Sequence, residues 1–172
     1  VTDLTDDSRQ VRPGSLFVAR CGTGDDGRRY IGDALSRGAA VIVSDRPPED
    51  DRTAEHAAWL SHEQVDQALA GELAERFFDW PSKRLNLIGV TGTNGKTTVC
   101  MICQHLLQHV GVRCGLMGTV FYDGGQQRQP AALTTAGAID ISRMLAKMVA
   151  NGCTAAVMEV SSHALDQRRT AA

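Results

Sequence analysis

The sequence predicts an α/β fold built on parallel strands, and three observations carry that reading. Short apolar runs alternate with stretches of helical periodicity along the whole chain. One apolar run, LNLIGV, enters a glycine-rich turn that opens a helix at Lys96. Another, TAAVMEV (154 to 160), is continuously apolar, as a strand covered on both faces should be.

Taken in order, LFVAR (16 to 20) follows a Pro13-Gly14 turn and reads as a strand. YIGDALSRG (30 to 38) has helical spacing and closes on Gly38. AAVIVSD (39 to 45) is a second strand, ended by Pro47-Pro48. After a polar, acidic stretch, a helix is predicted through VDQALAGELAERFFDW (65 to 80). Pro81 to Arg84 reads as a hinge, which divides the chain into residues 1–82 and 83–172.

The second unit opens with LNLIGV, the turn, and a helix from Lys96 to Val110. Val99, Ile102, Cys103, Leu106 and Val110 form its predicted core face, and Gly111 stops it. RCGLMGTV (113 to 120) reads as a strand. A Gly/Gln/Pro-rich loop (123 to 137) then leads to the helix AIDISRMLAKMVANG and the run ending in Glu159.

Composition excludes several classes. With a net charge of −2 and scattered lysines and arginines, nothing marks a nucleic-acid or membrane surface. No apolar run approaches the roughly 20 residues that span a bilayer. The acidic start, VTDLTDDSRQ, is unlike an export signal, so a cytoplasmic setting is expected. Five loosely spaced cysteines in a chain of 172 residues suit reduced thiols better than a disulfide framework. The absence of an initiator methionine and the ending DQRRTAA suggest an N-terminal fragment with its second domain cut short.

The turn in GVTGTNGKTT has the chemistry of a phosphate-binding loop. Small residues let backbone N–H groups turn inward, and a helix N-terminus stands behind them. Gly92 and Gly95 supply the freedom, Lys96 can reach terminal phosphates, and the Thr97 hydroxyl suits Mg²⁺. The longer form of the pattern has a glycine where Val90 stands, so this is the shorter Gly-x-x-Gly-Lys-Thr form. A second magnesium anion is needed, and Glu159, ending its strand at the edge where parallel sheets bind ligands, is the candidate. The competing reading for Glu159 is a charge turned to solvent. Ser161, Ser162 and His163 read either as part of a polar site or as the cap of a following helix.

GVTGTNGKTT, MEVSSHAL with Gln167 and Arg169, and the early DSR…PG-LFVA…DGRRYI together resemble the Mur ligases. Matching segments run from Asp7 to Arg169. The resemblance is closest to members that add the third peptide residue to UDP-N-acetylmuramoyl-L-alanyl-D-glutamate in peptidoglycan precursor synthesis. It implies an ATP-dependent amide ligase: the γ-phosphate passes to a substrate carboxylate, and the amino group of an amino acid attacks the acyl phosphate. It places Gly92, Thr93, Asn94, Gly95, Lys96, Thr97 and Thr98 around ATP, and Thr97 and Glu159 on Mg²⁺. Thr134, Thr135, Ser161, Gln167 and Arg169 fall where the UDP-muramoyl-dipeptide is held. Ser8 and the loop Thr23-Gly24-Asp25 fall at its uridine end. Lys96 and His163 are the implied catalytic positions, His163 lying near the phosphates. Ala136 stands where the family commonly has proline. A domain for the incoming amino acid, lysine or meso-diaminopimelate, would lie beyond these residues, so the isolated chain is expected to be inactive and prone to aggregate.

Other readings stay open. Gly22-x-Gly24-x-x-Gly27 with Asp45 matches a dinucleotide fingerprint, which would mean an NAD-linked oxidoreductase, although Asp25 and Asp26 would face a pyrophosphate. A nucleotide-binding module without chemistry is another. Cys100-x-x-Cys103 has redox spacing and His105-x-x-x-His109 metal spacing, but both lie on a helix expected to pack on a sheet.

Overall fold

The computed structural model describes residues 1–22, 26–48 and 56–171. The chain forms two compact units, Val1–Ala70 and Gly71–Ala172. The division falls inside a helix, upstream of the Pro81–Arg84 segment, which forms a 3₁₀ turn with Pro81 buried.

The first unit carries four parallel strands in the order β1 (Leu4–Thr5), β2 (Leu16–Val18), β3 (Val41–Ser44), β4 (Ala58–Ser61). The predicted helix at 30 to 38 begins as a 3₁₀ turn, Gly27–Tyr30, because Asp26 caps it by accepting the Arg28 N–H. It then continues as α1 (Ile31–Ser36). Phe17, Ala34 and Ile42 are fully buried between α1 and the sheet. Helix α2 (Gln67–Phe77) follows and leads into the second unit.

In the second unit the sheet order is β5 (Asn86–Val90), β9 (Ala155–Glu159), β6 (Cys114–Met117), β7 (Phe121–Asp123), β8 (Arg128–Pro130). The first three are parallel, joined through α3 (Lys96–His109) and α4 (Ala138–Ala150). Strands β7 and β8 are antiparallel, so the sheet is not wholly of parallel type. β8 lies within the stretch read from sequence as a loop (123 to 137), and β7 ends where it begins: Asp123-Gly124-Gly125 makes the turn of a hairpin, with Asp123 accepting the Gly125 N–H at 2.9 Å.

Helix α4 lays Ile141, Leu145 and Met148 onto β9, whose five residues are all buried. Truncating Leu145, 2% exposed, removes roughly 2–5 kcal/mol of stability. Helix α3 turns differently from expectation. Its buried residues are Cys100 and Gln104, with Met101, Cys103 and Leu107 half-buried behind β6 and β9. Val99, Ile102, Leu106 and Val110 are exposed, Ile102 at 52% and Leu106 at 58%. The buried Gln104 fixes this rotation: its amide donates to the Cys114 carbonyl at 3.0 Å and to Asp123 at 3.1 Å. That polar anchor outweighs the larger aliphatic stripe in setting which face packs.

Candidate functional site

The site in the second unit follows from strand register. Val90 of β5 pairs with Glu159 of β9, so the end of β5 and the carboxylate share one edge of the sheet. The loop of residues 91–95 leaves that edge and enters α3. Gly92 and Gly95 take φ of +144° and +79°, conformations that suit glycine. Gly95 is the N-cap residue of α3, and no side chain caps the helix there. Its N-terminal N–H groups and the exposed loop therefore face outward, as an anion site requires. Lys96 folds back over the loop, its Nζ donating to the Gly92 carbonyl at 2.9 Å. The residues fit a polyphosphate: two flexible glycines, an uncapped helix start and one ammonium.

Glu159 is 1% exposed and makes no ion pair among the described residues. Its charge is held by Thr119, a residue the sequence reading did not single out. The Thr119 N–H donates to Oε1 at 2.8 Å, and Thr119 Oγ1 lies 3.1 Å from Oε2. Glu159 thus does not turn to solvent. Among the described residues no cluster of three His, Cys, Asp or Glu side chains forms a ready metal cage. A magnesium here would rest on Glu159, Thr97 and phosphate oxygens, a donor set of hard oxygens that fits the ion.

Four of the predicted substrate residues meet beside Glu159. Thr135 Oγ1 donates to the Glu159 carbonyl at 2.9 Å and accepts the Ser161 N–H at 3.1 Å. Arg169 donates to the Thr135 carbonyl at 2.8 Å and, through Nε and Nη2, to Gln167 Oε1 at 2.9 and 2.6 Å. Thr134 joins through Thr119, the two hydroxyls being 3.1 Å apart. Ser161 also caps helix α5 (Ser162–Asp166) by accepting the Ala164 N–H at 3.1 Å, as the cap reading of this turn expects. His163 is exposed on that helix. Ala136, at the position lacking proline, is buried.

In the first unit, Ser8 is buried, and its hydroxyl together with Arg37 holds the Asp33 carboxyl below the usual range. Thr23, Gly24 and Asp25 lie outside the described residues. A cavity of about 670 Å³ in this unit is lined by Arg28, Arg29, Arg46 and Trp59 among others. Asp45, the acid a dinucleotide reading needs for ribose, is engaged by Arg28 at 3.1 Å, and Arg28 also grips Asp26 at 2.7 Å. The pairing with Arg28 keeps Asp26 well below the ordinary carboxylate range. Cys100 and Cys103 are free thiols, Cys100 fully buried, and the His105 and His109 rings stack on an exposed face. No helix among the described residues is long and apolar enough to cross a membrane.

Residues 90–172 match the profile of the Mur ligase middle domain, and residues 1–78 that of the Mur ligase family, catalytic domain. The chain is 42% identical over 99% of its length to a UDP-N-acetylmuramoyl-L-alanyl-D-glutamate--2,6-diaminopimelate ligase of Cytophaga hutchinsonii, covering 35% of that protein. An enzyme of the same name from Pseudomonas putida is 41% identical over the whole chain, which covers 34% of it. A solved ligase of that name superimposes with a TM-score of 0.78 at 29% identity, over 97% of this chain and 33% of the other. A MurF ligase from Thermotoga maritima in complex with ADP shares the fold, with a TM-score of 0.57 at 24% identity over 93% of this chain and 32% of its own. The chain spans about a third of the length of the relatives it matches. An oxidoreductase reading is set aside by these matches: this chain belongs to the Mur ligase family.

Proposed function

We propose that this chain supplies the nucleotide-handling part of an ATP-dependent amide ligase of peptidoglycan precursor synthesis. The ligase adds the third amino acid to UDP-N-acetylmuramoyl-L-alanyl-D-glutamate. The observation that carries the proposal is the register of Val90 against Glu159. It puts the phosphate loop, a buried carboxylate and the hydrogen-bonded group of Thr134, Thr135, Ser161, Gln167 and Arg169 on one sheet edge. A ligase that phosphorylates a carboxylate needs these three elements side by side.

In this reading residues 92–98 hold ATP, and Thr97 with Glu159 holds Mg²⁺. ATP and its magnesium supply the phosphoryl group that turns a poor electrophile into an acyl phosphate. Lys96 releases the Gly92 carbonyl and places its charge on the transferring group. Arg169, steered by Gln167, fixes the loop of Thr134 and Thr135 that holds the UDP-muramoyl-dipeptide. His163, exposed on α5, takes in this reading the position near the phosphates that the family resemblance implies. In the first unit, Ser8 and residues 23–25 take the uridine end. The names of the similar ligases, which specify 2,6-diaminopimelate, support a diaminopimelate, in this reading the meso form, as the incoming amino acid, with lysine the alternative. A cytoplasmic setting is part of the proposal.

The test is phosphate release by the longest natural polypeptide that carries this sequence, given MgATP and UDP-N-acetylmuramoyl-L-alanyl-D-glutamate. Diaminopimelate and lysine are supplied in separate reactions. Release that requires the nucleotide substrate and one amino acid supports the proposal. Nucleotide binding without release under any combination sinks it and favours a binding module.

A further inference from the structure

We infer that Thr119 is a positioning residue, one whose hydroxyl sets the metal-binding geometry of Glu159 and fixes the hydrogen-bonding sense of Thr134. The inference rests on the reading of Glu159 as a magnesium ligand and adds a residue to that site.

Proton accounting carries it. A carboxylate only accepts, and a threonine hydroxyl has one proton to give. Thr119 Oγ1 has two neighbours at 3.1 Å, Glu159 Oε2 and Thr134 Oγ1. Glu159 is buried with no cation beside it among the described residues, so its oxygens depend on donors from Thr119. The Thr119 proton therefore goes to Oε2, and the hydrogen bond between the two threonines is supplied by Thr134. The chain runs Thr134 to Thr119 to Glu159, in one direction.

Two consequences follow. Each oxygen of Glu159 is pinned by one donor, Oε1 by the Thr119 N–H and Oε2 by its hydroxyl, and each keeps a lone pair for a cation. The carboxylate is thus oriented before any ion arrives. Thr134, its proton spent on Thr119, offers a ligand only lone pairs. It selects a group that donates, such as a peptide N–H, over a phosphate or carboxylate oxygen. Neighbouring Gly118 fits this arrangement closely, since a Cβ there would lie 2.6 Å from Glu159 Oε1.

The experiment measures binding of a non-hydrolysable ATP analogue to the longest natural polypeptide carrying this sequence, in EDTA and in Mn²⁺. In the unaltered protein Mn²⁺ should tighten binding. Thr119→Val removes the hydroxyl and keeps shape and backbone N–H. It should leave affinity in EDTA unchanged and cut the Mn²⁺-dependent gain roughly tenfold or more. Thr119→Ser, which restores the hydroxyl, should recover the gain. A full gain in Thr119→Val, or its loss in Thr119→Ser, overturns the role given to the hydroxyl. If the unaltered protein shows no Mn²⁺-dependent gain, the metal reading of Glu159 itself falls. Should Thr119→Val fail to bind in EDTA, the contrast of Thr119→Ser with Thr119→Ala decides by the same criteria.

Discussion

Val90 and Glu159 are direct partners on neighbouring parallel strands, and the Val160 N–H seals the pair by donating to the Val90 carbonyl at 2.8 Å. That single register places the carboxylate beside the start of the phosphate loop. A slip of one residue would turn Glu159 to the other face of the sheet and separate the two.

Lys96 spans this edge as the loop's one ammonium. Lys96→Met should lower kcat/KM for ATP-dependent phosphate release about 10²–10³-fold, with the thermal midpoint nearly unchanged because the half-buried side chain bonds only carbonyls of the exposed loop. Steady-state kinetics beside a melting curve would check both halves. A tenfold loss or less would remove Lys96 from the chemistry.

Gly118 leaves no room for a side chain. Gly118→Ala would push a methyl group to 2.6 Å from Glu159 Oε1, whose carboxylate Thr119 holds. The expected cost is about 1–3 kcal/mol, read as a lower urea midpoint at unchanged slope. An unaltered midpoint would mean that Glu159 swings aside freely.

The glycine-rich loop was legible in the sequence because its parts are local, whereas Thr134, Thr135, Ser161, Gln167 and Arg169 were assigned to substrate only through the family resemblance. The glycine spacing, the lysine and the helix behind them declare the loop on their own, and SSH after an apolar run declares a helix cap. Thr119 was not legible: its partner Glu159 is distant in sequence and is chosen by the pairing of β6 with β9. Helix α3 misled for a related reason. Val99, Ile102, Leu106 and Val110 make the more apolar stripe, yet the hydrogen bonds of Gln104 to Cys114 and Asp123 turn the helix away from it. The β7–β8 hairpin was hidden by polar residues whose pairing partners lie in the sheet.

That exposed stripe has a consequence for solution behaviour. Ile102 and Leu106 on α3, with Leu87 and Ile88 on the edge strand β5, are all more than a third exposed. The 172-residue polypeptide should therefore self-associate. Ile102→Glu combined with Leu106→Glu should shift it toward monomer in sedimentation velocity without loss of helical signal. Equal association in the variant would locate the contact elsewhere.

The buried thiol of Cys114 gives a pH dependence of known sign. Burial, with the nearby Cys153 and Asp123, pushes it from an ordinary 9.0 up to about 11. Between those values the unfolded thiol loses its proton while the folded one keeps it. The native state then binds more protons, and stability falls as pH rises from about 9 toward about 11. Urea midpoints across that range should fall less steeply in Cys114→Ala than in the unaltered chain. Parallel slopes would show that the thiol titrates alike in both states.

The most direct test follows the oxygen of the substrate carboxylate. Substrate labelled with heavy oxygen in that carboxylate would be turned over with unlabelled MgATP, and the released phosphate examined by mass spectrometry. An acyl phosphate route predicts one heavy oxygen in each phosphate, because the bridging oxygen leaves with phosphorus when the amine attacks. Phosphate free of label, formed together with the amide product, would contradict phosphorylation of the carboxylate and with it the role given to the edge that Val90 and Glu159 define.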